Sequence, residues 1–467
     1  MAELVYLTLD WFVYDLRNGL GETDAEIEQN RAHFQQKLPE SVQSQLFQQD
    51  IHFEAEYQEL LPTRYIDFLT AAEPFPLQGY YYPVRLNDTY GLQLDCSIDN
   101  LVTPQPVEGF AQLKTELEQR LQEKVPTIGQ TWMLSGWLPE AQTQSVEATA
   151  KACYEAFLPG SNWDQDLEGQ GSLLGATIFE LWRYRSILME GANVEVADQS
   201  LQQNQHIIII IFANRAAAEK AADLYDDWLR LFCFRNKILW AYGQSRFIKQ
   251  AIKTDFTVVQ ANNHQHQTLE HFREVLFQIQ NALNHYKVNL IQLDFQGRTI
   301  DINLSNYQKR LNRIAKEGGA ESDLSFLEEF TDIVKNKYLL QITKDSENMK
   351  LGLRLLEDAI SATRSRLEVE RDNRDRNFQE ILKYLGVGWA TASVASKYID
   401  VSSLKDDPFK DALVKRNVSE DWAETISPLI YILFIAIIVA VIFGLGMSAL
   451  RALRQLLSYL SRMKTKE

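Results

Sequence analysis

The sequence predicts an α/β or α+β cytosolic domain, followed by long helices and by two membrane-spanning helices near the C-terminus. Three observations support this fold class. Strand-like and helix-like segments alternate over residues 1–213, which is typical of layered α/β and α+β domains. Ten of the twelve prolines lie at or before Pro159, so most of the later chain is free to be helical. Residues 426–450 are 25 consecutive residues without a charge.

The strands of the first domain are predicted from apolar side chains that recur every second residue. The five consecutive isoleucines at 207–211 predict a strand that is buried on both faces. Two strands joined by a turn at Asn87-Asp88 form a predicted hairpin over residues 80–98. Further strands are predicted at 4–14, 51–57, 131–138 and 173–182, and helices at 110–124 and 143–158.

Helical periodicity dominates after the first domain. Residues 214–322 are predicted to form a helical pair, and residues 323–377 a long stalk helix. No proline occurs between Asp323 and Ser396, a length of 74 residues that would reach about 110 Å as one helix. Within it two rows of residues recur at intervals of seven, namely Ile342, Met349, Leu356 and Thr363, and Leu353, Ile360 and Leu367. This seam packs against the preceding helices of its own subunit, against copies of itself, or against both.

The apolar segment 426–450 is predicted to be a transmembrane helix. At ~1.5 Å per residue it reaches roughly 37 Å, enough to cross a hydrocarbon layer about 30 Å thick. The tail at 451–467 is basic and should stay cytosolic, and Arg451 and Arg454 lie at the membrane interface. The N-terminus lacks the features of a signal peptide, so the front of the chain is also expected in the cytosol. Two cytosolic ends require an even number of crossings.

Residues 378–399 are the candidate for the other crossing. Only 13 residues separate Lys383 from Lys397, which is too few for a helix that faces lipid alone. A helix that lines a polar channel, or that other helices surround, can be this polar. The alternative is a tail-anchored protein with one span and an exported tail. If residues 378–399 do cross the membrane, the acidic loop at 400–425 joins the two spans, and Arg371, Arg374 and Arg376 lie at the cytosolic membrane interface.

Composition narrows the classes of partner and of chemistry. The net charge of −16 disfavours direct binding to nucleic acid, because an acidic surface repels phosphate. The three cysteines lie far apart in no ligand spacing, which predicts reduced thiols in the core. No nucleotide-binding glycine loop, catalytic triad or paired-acid motif can be singled out, so no enzyme activity and no cofactor are predicted.

The order of elements resembles that of the CorA-like family of divalent-cation transporters. Over about 340–400 and 426–467 the sequence itself resembles the family's passage from stalk to pore, and Asn377 occupies the place of an asparagine that precedes the first span. The family's Gly-Met-Asn motif is replaced here by Tyr398-Ile399-Asp400, so the resemblance is to divergent members. It implies a homopentamer in the cell (inner) membrane, with both termini cytosolic and with a divalent cation as its cargo or ligand.

We therefore expect an oligomeric membrane channel or transporter for cations that its cytosolic domain gates on binding a small molecule. Two alternatives stay open: a CorA-like effector of a prokaryotic defence system that a nucleotide signal gates, and a membrane-anchored scaffold that conducts nothing. Three acidic side chains would recruit cations at the outer mouth of the pore, namely Asp400, Asp406 and Asp407. The predicted pore-lining residues are Leu385, Gly388, Trp389, Thr391, Ala392 and Ser396, with Leu385 or Trp389 as an apolar constriction.

Overall fold

A computed structural model describes residues 2–19, 22–47, 56–122, 124–140, 145–183, 205–262 and 269–370. The chain divides into two units, Met1–Ile360 and Ser361–Glu467. The first unit confirms the coarse prediction, because it contains a mixed α/β sheet domain followed by long helices.

Ten strands form a single sheet in the described part of the chain. Its order is β2-β4-β5-β1-β7-β10-β9-β8, with β3 also paired to β4 and β6 to β1. Only β7 and β10 run parallel to each other, and the other pairs are antiparallel. The strands are β1 Glu3–Leu16, β2 Tyr57–Glu59, β3 Ile66–Thr70, β4 Leu77–Leu86, β5 Thr89–Ile98, β6 Gln105–Pro106, β7 Gly129–Trp137, β8 Leu167–Leu173, β9 Ala176–Arg183 and β10 Gln205–Phe212.

Helices cover both faces of this sheet. The first face carries α1 Asp24–Gln35, α2 Glu40–Gln43, α3 Gly109–Arg120, α4 Val146–Phe157 and α5 Trp163–Asp166. The second face carries α6 Arg215–Ala221, α7 Tyr225–Asn262, α8 Leu269–Gly318, α9 Ser325–Ile333 and α10 Leu340–Glu370. A short 3-10 turn, Ala222–Leu224, joins α6 to α7, and a π-helical segment, Val334–Leu339, joins α9 to α10.

The isoleucine run shows how the sequence divides between the two cores. Ile208 and Ile210 lie in the core under α7 and α8, whereas Ile207, Ile209 and Ile211 lie in the core under α3 and α4. Successive side chains of a strand point to opposite faces, so a strand covered by helices on both sides must be apolar throughout. The prediction that this strand is buried on both faces is confirmed.

Several local predictions are confirmed, and others are corrected. The hairpin with its turn at Asn87-Asp88 is present, and Asn87 adopts the left-handed conformation, with φ +53°. Residues 173–182 are not one strand, because a turn at Leu174-Gly175 divides this segment between β8 and β9. Helix α1 and strand β3 were not predicted. The 50 residues of α8 form one helix, although helical periodicity was apparent only in separate parts of it.

The heptad seam of α10 faces the body of its own chain in the residues whose side chains are described. Ile342 and Leu356 are buried, and Met349, Leu353 and Ile360 pack against the same core. Tyr286 of α8 also donates a hydrogen bond to the Met349 carbonyl, at 2.7 Å. The intramolecular alternative is therefore supported for this part of the seam.

All three cysteines are buried and free, as predicted. Among the described residues, no helix combines the length and the apolar character needed to span a bilayer. The predicted spans at 378–399 and 426–450 lie outside those residues, as do the loop at 400–425 and the tail at 451–467.

Candidate ligand-binding cavity

A cavity of ≈590 Å³ opens on the second face of the sheet, beneath α6 and the first turn of α7. We call it the acidic cavity. Five aromatic side chains of the sheet line it, together with one buried acid and the first residue of α7; these are Tyr6, Tyr80, Tyr82, Trp137, Phe212, Asp95 and Tyr225. Its volume is in the range of small-molecule sites in proteins.

An irregularity in β1 shapes one wall of the acidic cavity. The register of β1 against β7 shifts between Val5 and Thr8, and Tyr6 lies inside this bulge with φ +54°. A bulge changes the direction of a side chain relative to regular alternation. As a result the consecutive residues Val5 and Tyr6 both lie on the second face of the sheet, where Tyr6 lines the cavity and stacks on Trp137 with ring centroids 5.5 Å apart.

Two carboxyl groups meet at the floor of the cavity. Asp10 on β1 and Asp95 on β5 are directly paired across the strands, so their side chains project side by side from the same face. Asp10 is fully buried and Asp95 is 8% exposed. Two like charges in such a position repel each other strongly, which is acceptable only if the pair holds a proton.

Polar neighbours hold this acid pair in place. The Gln93 side-chain amide donates to Asp10 Oδ1 at 2.8 Å and to the Tyr80 hydroxyl at 2.9 Å. The Tyr225 hydroxyl faces the Asp10 carboxyl from the start of α7. The acid pair therefore connects the sheet directly to the helix bundle.

Burial raises the pKa of Asp10 from an ordinary 3.8 to about 7. Burial also raises the pKa of Asp95 well above its ordinary value, and the charge of Asp10 and the hydrogen bond to it act in the same direction. At neutral pH the pair therefore carries at least one proton, so that one carboxyl group donates a hydrogen bond and the other accepts it.

The charges at the mouth of the cavity are largely paired. Arg64 lies 2.7 Å from the Asp226 carboxylate, and Arg215 lies 2.7 Å from the Glu219 carboxylate. Asp67 at the rim adds a further negative charge near Asp95. Since both arginines are paired with carboxylates, the acidic groups left among the lining residues are Asp67 and Asp95. A negative floor between aromatic faces suits a cationic organic ligand.

A second buried polar cluster lies on the same face but does not line the acidic cavity. His206 accepts a hydrogen bond from the Thr131 hydroxyl at Nδ1 (3.0 Å) and donates one from Nε2 to Glu180 (3.0 Å). We assign these directions from Asn236, whose amide donates to the Thr131 oxygen. Burial and the Arg235 charge lower the pKa of His206 to about 4, so the ring is neutral. The order Glu180-His206-Thr131 is that of a catalytic triad, but with every member buried we assign the cluster a structural role.

None of the predicted site residues belongs to the acidic cavity. The predicted pore-lining residues 385–396, the outer-mouth acids 400–407 and the interface arginines at 371–376 and 451–454 all lie outside the described residues. The sequence contained a partial signal for the cavity. Thr8 and Asp10 are polar residues on one face of the apolar strand β1, and Gln93 and Asp95 are polar residues on one face of the apolar strand β5. Only the register between β1 and β5 brings these two faces together.

In the described ranges, no three His, Cys, Asp or Glu side chains come together in a way that could hold a metal ion. A scan against known protein families, a search of curated proteins and a search of solved structures each find no match to this chain.

Proposed function

We propose that this chain is an oligomeric membrane channel or transporter for cations, and that a cationic small molecule bound in the acidic cavity gates it. In this proposal residues 426–450 and 378–399 are the two spans, and the sheet domain and the C-terminal tail both face the cytosol, as in CorA-like proteins. The uncharged segment 426–450 supports attachment to a membrane. The acidic cavity supports a ligand-binding role for the sheet domain.

The observation that carries the gating proposal is that one helix joins the acidic cavity to α10. Helix α7 begins at Tyr225, in the cavity wall, and extends for 38 residues. Farther along it, Arg246 forms an ion pair with Asp345 of α10, and Lys249 lies 2.6 Å from the same carboxylate. The chain after α10 leads in sequence to residues 378–399. A ligand that displaces Tyr225 would thereby act on the helix that precedes the first proposed span.

Asp345 is a strong attachment point between the two helices. Its side chain is 5% exposed, and it accepts hydrogen bonds from both cations and from Gln341. Although burial acts to raise the pKa of Asp345, these hydrogen bonds and charges lower it below its ordinary value. Separating α7 from α10 would break both ion pairs of this buried carboxylate and leave its charge uncompensated, so the two helices are held together here.

Assembly with further copies is supported by an exposed apolar stripe on α8. Phe277, Val288, Ile291 and Ile302 are between 38% and 65% exposed, and their spacing places them on one side of the helix. The α10 seam packs inward, so this stripe is a separate surface. We propose that a second copy covers it, because a span as polar as 378–399 needs neighbouring subunits around it.

Ion flux from liposomes that contain the full-length chain tests the conduction part of the proposal. We expect flux that choline or spermidine alters, and single-particle class averages with a symmetric ring. Ser393→Cys should react with a membrane-impermeant thiol reagent along a water-filled path. If a reporter fused just after Asp400 lies in the same compartment as the N-terminus, the proposal fails and the membrane-anchored scaffold is the better explanation.

Ligand binding is tested separately by isothermal titration calorimetry with choline and spermidine. Asp10→Asn combined with Asp95→Asn leaves no group at the cavity floor that can take a negative charge, and should weaken binding by about tenfold, which corresponds to one charge-assisted hydrogen bond. Asp99→Asn makes the same chemical change at an exposed position one residue beyond the same strand, and should leave binding unchanged. Equal affinity in all three proteins would remove the acidic cavity from the proposal.

A further inference from the structure

A second cavity, of ≈390 Å³, lies between α7, α8 and the turn that joins β4 to β5. We call it the basic cavity. Its lining contains five cationic side chains but only two acidic ones, Glu56 and Asp88. The cations come from two helices and are Arg230, Lys237, Lys309, Arg310 and Arg313. Such a local excess of positive charge contrasts with the net charge of −16 of the whole chain.

Part of this positive charge is already neutralised. Lys237 forms an ion pair with Asp88, and Arg310 forms one with Asp227. Arg313 shares Asp227 at 3.5 Å and also contacts Glu317 at 3.0 Å. Asp227 thus serves two arginines at once, so the acids nearest the cavity do not balance its cations.

Two cations in the basic cavity have no acidic partner among the described residues, namely Arg230 and Lys309. The guanidinium carbon of Arg230 lies 3.9 Å from the centre of the Tyr57 ring, and this stacking fixes its plane. Its Nε atom is buried and donates no hydrogen bond. An unsatisfied buried donor on a charged group costs free energy, and a bound anion would satisfy it.

The remaining polar groups of the cavity suit an oxyanion. Asn303 and Asn306 line it with amide groups. The Asn303 amide nitrogen donates to the Thr299 carbonyl at 2.7 Å, so this side chain is held in place. An arginine of fixed orientation, further cations and neutral donors around a small enclosed volume are the groups that bind phosphate.

We propose that the basic cavity binds a phosphate group carried by a small molecule. A free phosphorylated metabolite and the headgroup of an anionic lipid share this chemistry. The site is distinct from the acidic cavity, since Tyr57 and Tyr82, whose hydroxyl groups are hydrogen-bonded to each other, lie between the two. It also stands whether or not the chain conducts ions, because only residues of the first unit form it.

Isothermal titration calorimetry on the full-length protein in a neutral detergent tests this proposal. Inorganic pyrophosphate represents the free phosphate source, and glycerophosphoglycerol represents a lipid headgroup without its acyl chains. Lys309→Met removes an exposed cation that the fold does not use, and Arg230→Met removes the stacked one. Each should weaken binding by about tenfold, and the affinity should fall as sodium chloride is raised. Lys253→Met removes an equal charge from an exposed position of α7 outside the cavity and should change nothing.

The outcomes separate clearly. Tighter binding of pyrophosphate that depends on Lys309 supports the site with a soluble phosphorylated ligand. Tighter binding of glycerophosphoglycerol that depends on Lys309 supports it with a lipid headgroup. If neither probe binds, or if Lys309→Met and Lys253→Met bind as the wild type does, the proposal is overturned. Because Lys309 is exposed, this result does not depend on whether Arg230→Met folds.

Discussion

Replacing Asp10 by asparagine should make the protein more stable relative to the wild type as the pH rises. The asparagine side chain mimics the protonated acid, since its amide oxygen can accept from Gln93 and its amide nitrogen can donate to Asp95. The wild-type carboxyl group has a pKa of about 7 in the folded protein and 3.8 in the unfolded chain, because burial disfavours its charge. Between these two values the folded state binds more protons than the unfolded state, so stability falls as pH rises.

The magnitude follows from the width of this pH window. Each pH unit inside it changes the free energy of unfolding by about 1.4 kcal/mol. Between pH 5 and pH 8 the wild type should therefore lose about 2.5 kcal/mol relative to Asp10→Asn. The substitution also removes the charge and the hydrogen bond of Asp10, two of the causes that raise the pKa of Asp95. With a less raised pKa at Asp95, the variant loses less stability as the pH rises, so the difference from the wild type becomes larger.

Other groups titrate over the same range, and the comparison between variants removes their effect. Burial lowers the pKa of His206 to about 4, so this residue makes the protein less stable as the pH falls from 6.5. Its contribution has the opposite sign to that of Asp10 and would partly mask it in the wild type alone. It is the same in the wild type and in Asp10→Asn, so it cancels in their difference.

The assay is urea unfolding of the detergent-purified chain at pH 5, 6, 7 and 8, followed by tryptophan fluorescence. The stacked pair Trp11 and Trp132, with ring centroids 4.2 Å apart, reports on the centre of the sheet. Asp99→Asn, at an exposed position, is the control. A difference between wild type and Asp10→Asn that is the same at pH 5 and pH 8 would refute the assignment of a shared proton to this acid pair.

Three further changes test other parts of the structure. Glu180→Gln leaves Arg235 as a buried cation without its anion and should cost about 3–5 kcal/mol in the urea assay, whereas adding Arg235→Met should recover most of the loss. Val288→Glu places a charge on the α8 stripe and should lower the molar mass in sedimentation without changing the circular dichroism, whereas Gln29→Glu, which adds a charge at an exposed position of α1, should not lower it. Asp345→Asn should weaken the contact between α7 and α10 by about 2–3 kcal/mol, and backbone amides of residues 340–360 should then exchange hydrogen faster. Unchanged exchange would argue against the proposed coupling between α7 and α10.

The packing of α10 shows where sequence periodicity stops being informative. Its heptad spacing predicts that a packing seam exists, but the same spacing serves a contact within a subunit or between subunits. The choice depends on which surface is nearest after folding. In the structure Tyr286 and the surrounding core of α7 and α8 occupy the inner side of this seam. Neither Tyr286 nor its neighbours could be assigned to that role from local sequence.

The sequence alone determined the properties that depend on local pattern. Alternation of apolar residues gave most of the strands, the isoleucine run gave a central buried strand, and the distribution of proline gave the change from sheet to long helices. The tertiary structure decided both candidate ligand sites. Asp10 and Asp95 lie 85 positions apart in the chain and meet only through the register of β1 and β5, while Arg230 and Lys309 meet only because α7 packs against α8. A local pattern fixes which face a side chain takes, but long-range pairing decides which faces meet.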